Sequence, residues 1–111
     1  MQPLNLTLTD AARAAIDQYM EGLDYDESIP CLIHGRTVSR DGSAAMDQWT
    51  VGAYHPDRLR FFEQLRVNTG LEFFFKCDGL VLLLWQPALA NTLRGRTLDY
   101  SYRRYHLLER L

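Results

Sequence analysis

Cysteine is scarce: the chain has two, Cys31 and Cys77, in 111 residues, so no disulfide framework holds it together. Long apolar runs are missing too. The longest strongly apolar stretch, Leu80 to Trp85, falls far short of the roughly 20 residues that cross a bilayer. The opening Met1-Gln2-Pro3-Leu4-Asn5 has no basic region followed by an apolar run, unlike a secretory signal. The expected compartment is therefore the cytoplasm, with no membrane partner. Charge of one sign is also not in excess. Twelve Lys and Arg against fourteen Asp and Glu leave a net of −2, which argues against a generic nucleic-acid binder. What remains is ordinary for a folded chain, 47% apolar and 23% charged. That supports one modest core and not two, so residues 1–111 are expected to form a single domain.

The charge is unevenly spread. Residues 1–30 carry Asp10, Asp17, Glu21, Asp24, Asp26 and Glu27 against Arg13, a net of −5. Residues 94–111 carry five arginines (94, 96, 103, 104 and 110) against Asp99 and Glu109, a net of +3. Such polarity orients a partner or a second copy, or simply solvates two faces.

Periodicity gives the elements. Leu4, Leu6 and Leu8 alternate as in a half-buried strand. Thr9 or Asp10 then caps a helix whose Ala12, Ala15, Ile16, Tyr19, Met20 and Leu23 recur at three- and four-residue spacing, with Gly22 at its end. Asp24 to Ser28 reads as an acidic loop. Pro30 to Ser39 and Ala45 to Tyr54 read as antiparallel strands around Arg40-Asp41-Gly42-Ser43. A helix spans Pro56 to Val67 and stops at Asn68-Thr69-Gly70. Leu71 to Lys76 and Leu80 to Gln86 form a hairpin on Cys77-Asp78-Gly79, the second strand apolar on both faces and hence central. Pro87 to Leu93 makes a helical turn closed by Gly95, and Arg96 to Tyr102 begins a last extended segment. The order β–α–ββ–α–ββ–α–β predicts a strand-rich α+β domain.

Three stretches, in order, resemble the HesB/IscA family of A-type iron–sulfur carriers. The first is Leu6-Thr7-Leu8-Thr9-Asp10-Ala11-Ala12, a strand followed by a capped helix. The most specific is Asp78-Gly79-Leu80-Val81-Leu82-Leu83-Leu84, followed by Leu89 to Leu93 and Gly95-Arg96-Thr97-Leu98-Asp99-Tyr100. The resemblance implies a HesB/IscA-like fold: a curved mixed sheet, an N-terminal capped helix and one or two short helices. It also implies self-association, since family members are often dimeric or larger.

The remaining stretch departs from the family. Where A-type carriers have Arg-Thr-x-Gly-Cys-x-Gly, this chain has Arg36-Thr37-Val38-Ser39-Arg40-Asp41-Gly42. Arg40 stands in the cysteine position, and the Cys-Gly-Cys tail is replaced by Tyr105-His106-Leu107-Leu108-Glu109-Arg110-Leu111. The segment from Pro56 to Gly70 is extra relative to the family. Clusters are held by thiolates, and a guanidinium is a permanent cation with no lone pair to donate. No cofactor is therefore expected.

Other candidates have plainer readings. Cys31 reads as a small buried hydrophobe. Cys77, placed in a hairpin turn, has only Lys76 nearby to activate it. A relocated iron or cluster site on Cys31, His34 and Cys77 drawn from two chains is opposed by spacing, because Cys31 and His34 point to opposite faces of a strand. His55-Pro56-Asp57 lacks a nucleophile or oxyanion motif and reads as a strand-to-helix breaker, so no enzymatic activity is expected. Tyr100-Tyr102-Arg103-Arg104-Tyr105 mixes rings and cations as single-stranded nucleic-acid surfaces do. In one continuous strand, Tyr100, Tyr102 and Arg104 would share a face.

The expectation is a non-catalytic binding or regulatory protein with a protein partner in iron–sulfur or sulfur metabolism. Its surface is expected at Arg36, Arg40, Asp41, Gly42, Arg103 and Arg104. The alternatives are a carrier with non-standard ligands, for which Cys31 and Cys77 are the fallback residues, and a single-stranded nucleic-acid binder.

Overall fold

The computed structural model describes residues 2–23 and 28–109. Leu4, Leu6 and Leu8 are all buried, as their alternation predicts. They do not lie in one strand, however. The segment divides into β1 (Gln2–Pro3) and β2 (Leu6–Leu8), and the two halves pair with different neighbours. Thr9 accepts a hydrogen bond from the Ala12 backbone N–H and starts α1 (Asp10–Glu21), which ends at Gly22. Of the acidic loop expected at Asp24 to Ser28, residues 24–27 lie outside the described residues.

A long hairpin follows, β3 (Ile29–Val38) with β4 (Ala45–Tyr54), in register from Ile29 opposite Tyr54 to Val38 opposite Ala45. Then comes α2 (Pro56–Thr69), two residues longer than periodicity predicts and not a short helix. His55 caps its start, its Nδ1 accepting the Asp57 N–H at 3.2 Å, and Gly70 at φ 74° ends it. The second hairpin is β5 (Phe74–Cys77) and β6 (Leu80–Leu84). Cys77 therefore belongs to a strand, not to the turn, which is Asp78-Gly79. After α3 (Leu89–Leu93), β7 (Arg96–Ser101) and β8 (Arg104–Leu108) form a third hairpin. Its turn, Tyr102-Arg103, breaks the single extended segment expected there, so Tyr102 shares no face with Tyr100 and Arg104.

The strands join in the order β1-β5-β6-β3-β4-β8-β7-β2. β1–β5, β2–β7 and β3–β6 are parallel and the other pairs antiparallel, so the sheet is mixed. With three helices among the described residues, this is a compact α+β arrangement. Both ends of that order belong to one extended segment. The Leu4 N–H donates to the Lys76 carbonyl at 2.8 Å, and the Asn5 carbonyl accepts from Gly95 N–H at 2.6 Å. The sheet thus curls until its first and last strands are neighbours in the chain, which removes two open edges. The weakest joint is between β4 and β8, where one residue pair, Trp49 and Tyr105, bridges the strands.

β6 is central, as its two apolar faces predict. Leu82 and Leu84 join the main core with Leu6, Leu8, Leu32, Leu98, and Ala12 and Ile16 of α1. Leu83 faces the other way, with Cys31, Phe73 and Phe74 under Phe62 of α2. Phe62 anchors that helix among rings: Phe73 and Trp85 lie 5.6 and 5.3 Å from it. Thr9 Oγ1 donates to Asp99 Oδ1 at 2.6 Å, which ties the α1 cap to β7. That hydrogen bond first, then one from the backbone of Tyr100, lowers the Asp99 pKa. Asp99 thus has a structural role. No helix among the described residues is long and apolar enough to cross a membrane.

Candidate binding surface

The β3–β4 hairpin outruns its neighbours. β6 pairs with β3 at Cys31 and Leu32, and β8 meets β4 at Trp49, so residues 35–48 project as an exposed two-stranded arm. Its tip is built by Asp41, which accepts from Ser39 Oγ at 2.7 Å, Ser43 N at 3.0 Å and Ser43 Oγ at 2.7 Å. The Ser43 bonds first, and then that from Ser39, hold the Asp41 carboxyl well below the usual carboxylate range. Gly42 supplies the positive φ of 75° that closes the turn. Asp41 and Gly42 therefore shape the tip. Arg36 and Arg40 are exposed on it, and neither guanidinium has a partner among the described residues.

Where β4 and β8 splay apart, α1 forms the far wall of a groove of about 750 Å³. Ala11, Ala14, Ala15, Gln18 and Tyr19 line the helix side, with Trp49, Tyr100 and Tyr105 across from them. Tyr19, expected in the core, is 42% exposed and faces this groove. Tyr100 and Tyr105 are direct cross-strand partners with ring centroids 4.8 Å apart. Burial, then the neighbouring Tyr100 and Tyr19, pushes the Tyr105 phenol up to about 12, so it stays protonated. The His34 ring lies 4.5 Å from that of Trp49, and its Nε2 is 3.1 Å from Asp47 Oδ1. At the arm end Met46, Asp47 and Gln48 complete the lining; at the turn end Arg103 and Arg104 do.

That turn is unusual in its residues. Tyr102 and Arg103 have φ of 52° and 62°, the left-handed region at both central positions of a two-residue hairpin turn. Side chains with a Cβ are disfavoured there by about 1 kcal/mol or more each, which is why Asn-Gly or Asp-Gly is usual. Tyr102 is 95% exposed, so no packing offsets the strain. Arg103 and Arg104 are exposed beside it, with no ion pair among the described residues.

The sequence candidates thus fall into two places. Arg36, Arg40, Asp41 and Gly42 sit on the arm, whereas Arg103 and Arg104 border the groove, which none of the former four lines. Trp49, Tyr19 and His106 also line the groove and carry no sequence signal of it. Trp49 is 7% exposed and belongs to the main core as well.

The two cysteines do not meet. Cys31 packs under α2 and Cys77 in the main core, on opposite faces of the sheet. Burial first, then Asp78 in the case of Cys77, raises both thiols to about 11. Cys77 Sγ donates to the Leu6 carbonyl at 3.2 Å. His34 points to the face opposite Cys31, as strand alternation requires. No group of three His, Cys, Asp or Glu among the described residues is arranged to hold a metal. The chain matches no family model, no curated protein and no solved structure.

Proposed function

We propose that this chain is a non-catalytic binding module related in sequence to the A-type iron–sulfur carriers, with a HesB/IscA-like fold. It acts through protein contacts in iron–sulfur or sulfur metabolism and does not itself hold iron or a cluster. The observation that carries the reading is the set of unpaired guanidiniums. Arg36 and Arg40 on the arm, with Arg103 and Arg104 at the groove, are presented to solvent without partners among the described residues. Cations presented on hairpins suit recognition of a charged surface. The buried, separated thiols are poor ligands, since a thiolate is needed and both pKa values are raised.

The test is anaerobic reconstitution with ferrous iron and sulfide, read by visible absorbance and metal-to-protein ratio, beside the Cys31→Ser, Cys77→Ser double variant. The expected result is no stoichiometric chromophore in either protein. A cysteine-dependent chromophore at stoichiometric iron would overturn the reading and make the chain a carrier with relocated ligands.

A further inference from the structure

We infer that the groove at the β4–β8 seam binds an extended acidic segment of a partner protein, laid along the free flank of β4 with its carboxylates at the Tyr102–Arg104 turn. This rests on the binding-module reading and names the chemistry of what is bound.

Three observations carry it. β4 is ten residues long but pairs with β8 only at Trp49 and Tyr105, so the flank at Ala45–Gln48 has no paired strand among the described residues. An extended chain can pair with such a flank through its backbone. The groove beside that flank, about 750 Å³, has room for side chains against Trp49, Tyr100 and Tyr105. Its arginines, Arg103 and Arg104, stand at one end, and the other end holds the acid Asp47. A polyanion with a charge at every unit would meet Asp47, the one acid of the lining, and an α1 wall of alanines with Gln18 and Tyr19; a segment acidic at one end and apolar along its length suits both. Nucleic acid is disfavoured on that ground.

The turn supplies the third argument. Two side-chain-bearing residues hold left-handed φ without packing to compensate, at the place where the cations are presented. Strain kept at an exposed turn points to a role for the side chains themselves. Replacing them by the residues that the turn geometry prefers separates binding from folding.

The experiment uses the full chain and a labelled synthetic peptide with two glutamates followed by alternating valine and threonine, followed by fluorescence anisotropy. Controls are the glutamine version, the same peptide with alternate backbone amides methylated, and an oligothymidylate of similar length. The glutamate peptide is expected to bind with an affinity that falls as salt rises. Affinity is expected to drop about tenfold or more for the glutamine version, and likewise for the Tyr102→Asn, Arg103→Gly double variant, which should melt higher than the parent. Amide methylation should weaken binding comparably. Three results overturn the inference: no glutamate-peptide binding, equal binding of the methylated peptide, or tighter binding of the oligothymidylate. A fourth is a concentration-dependent dimer, seen by sedimentation and lost in the double variant, which would make the occupant a second copy. None of these depends on iron loading, so failure here is distinguishable from failure of the cluster test.

Discussion

Two hairpins in this fold turn on a pair of left-handed residues, and they differ in nearly every other respect. The β5–β6 hairpin turns on Asp78-Gly79, with φ of 51° and 82°, and lies in the middle of the sheet with Leu82, Leu83 and Leu84 buried. Arg13 Nη1 donates to the Asp78 carbonyl at 2.6 Å and fastens the turn to α1. The β7–β8 hairpin turns on Tyr102-Arg103, and its second strand alternates exposed and half-buried residues. One hairpin combines suitable turn residues with deep burial. The other keeps unsuitable residues in a shallow setting and presents them to solvent. The comparison separates a turn selected for folding from one that folding alone does not explain.

The largest expected effect tests the depth of burial. Leu83→Ala in β6 should cost about 2–5 kcal/mol, because a fully enclosed side chain leaves a cavity. Leu108→Ala in β8, at a residue 43% exposed, should stay within about 0.5 kcal/mol. Urea unfolding of both variants checks the contrast, and equal losses would erase it.

The turns themselves come next, with opposite signs. Tyr102→Asn with Arg103→Gly should stabilise by about 1–2 kcal/mol and raise Tm by several degrees, roughly 4–8 °C per kcal/mol. Gly79→Ala should destabilise by about 1 kcal/mol. The added Cβ would meet only Arg13 Nη1 at 3.9 Å, so the cost is conformational and not steric. A double variant no more stable than the parent would mean that Tyr102 and Arg103 already fit their conformation.

The last effect is confined to alkaline solution. Cys77 in β5 and Cys31 in β3 have thiols raised to about 11 from an ordinary 9.0. The folded state therefore holds these protons more tightly than the unfolded state. Their contribution to stability is full below pH 9 and is lost as pH rises through about 11. Cys31→Ala with Cys77→Ala should flatten that fall in stability, read as the unfolding midpoint against pH. An unchanged slope would show the thiols to be less shielded than their burial indicates.

Legibility in the sequence followed the strength of local chemistry. Asp-Gly pairs announced the β3–β4 and β5–β6 turns, and the bounds of β4 were readable to the residue. Tyr102-Arg103 carries none of the usual turn residues, so β8 was hidden inside a supposed single strand. The division of Leu4–Leu8 was invisible for another reason. Both halves keep the same period-2 burial, and only tertiary pairing sends β1 to β5 and β2 to β7. At the candidate surface, charged residues could be picked out singly, but the groove needs α1, β4 and β8 brought together. Tyr19 sits at helical spacing with the core residues, and its exposure follows from the seam beside it.

The division of that first segment bears on how the chain acquires its shape in time. Leu6, Thr7 and Leu8 are paired with Arg96, Thr97 and Leu98, and Gln2 and Pro3 with Phe75 and Lys76. These are among the most distant pairings along the chain, and each must close a long loop before it gains a hydrogen bond. The ring of strands therefore closes late, after the local hairpins have formed. Weakening β1 or β2 should accelerate unfolding while leaving the refolding rate nearly unchanged.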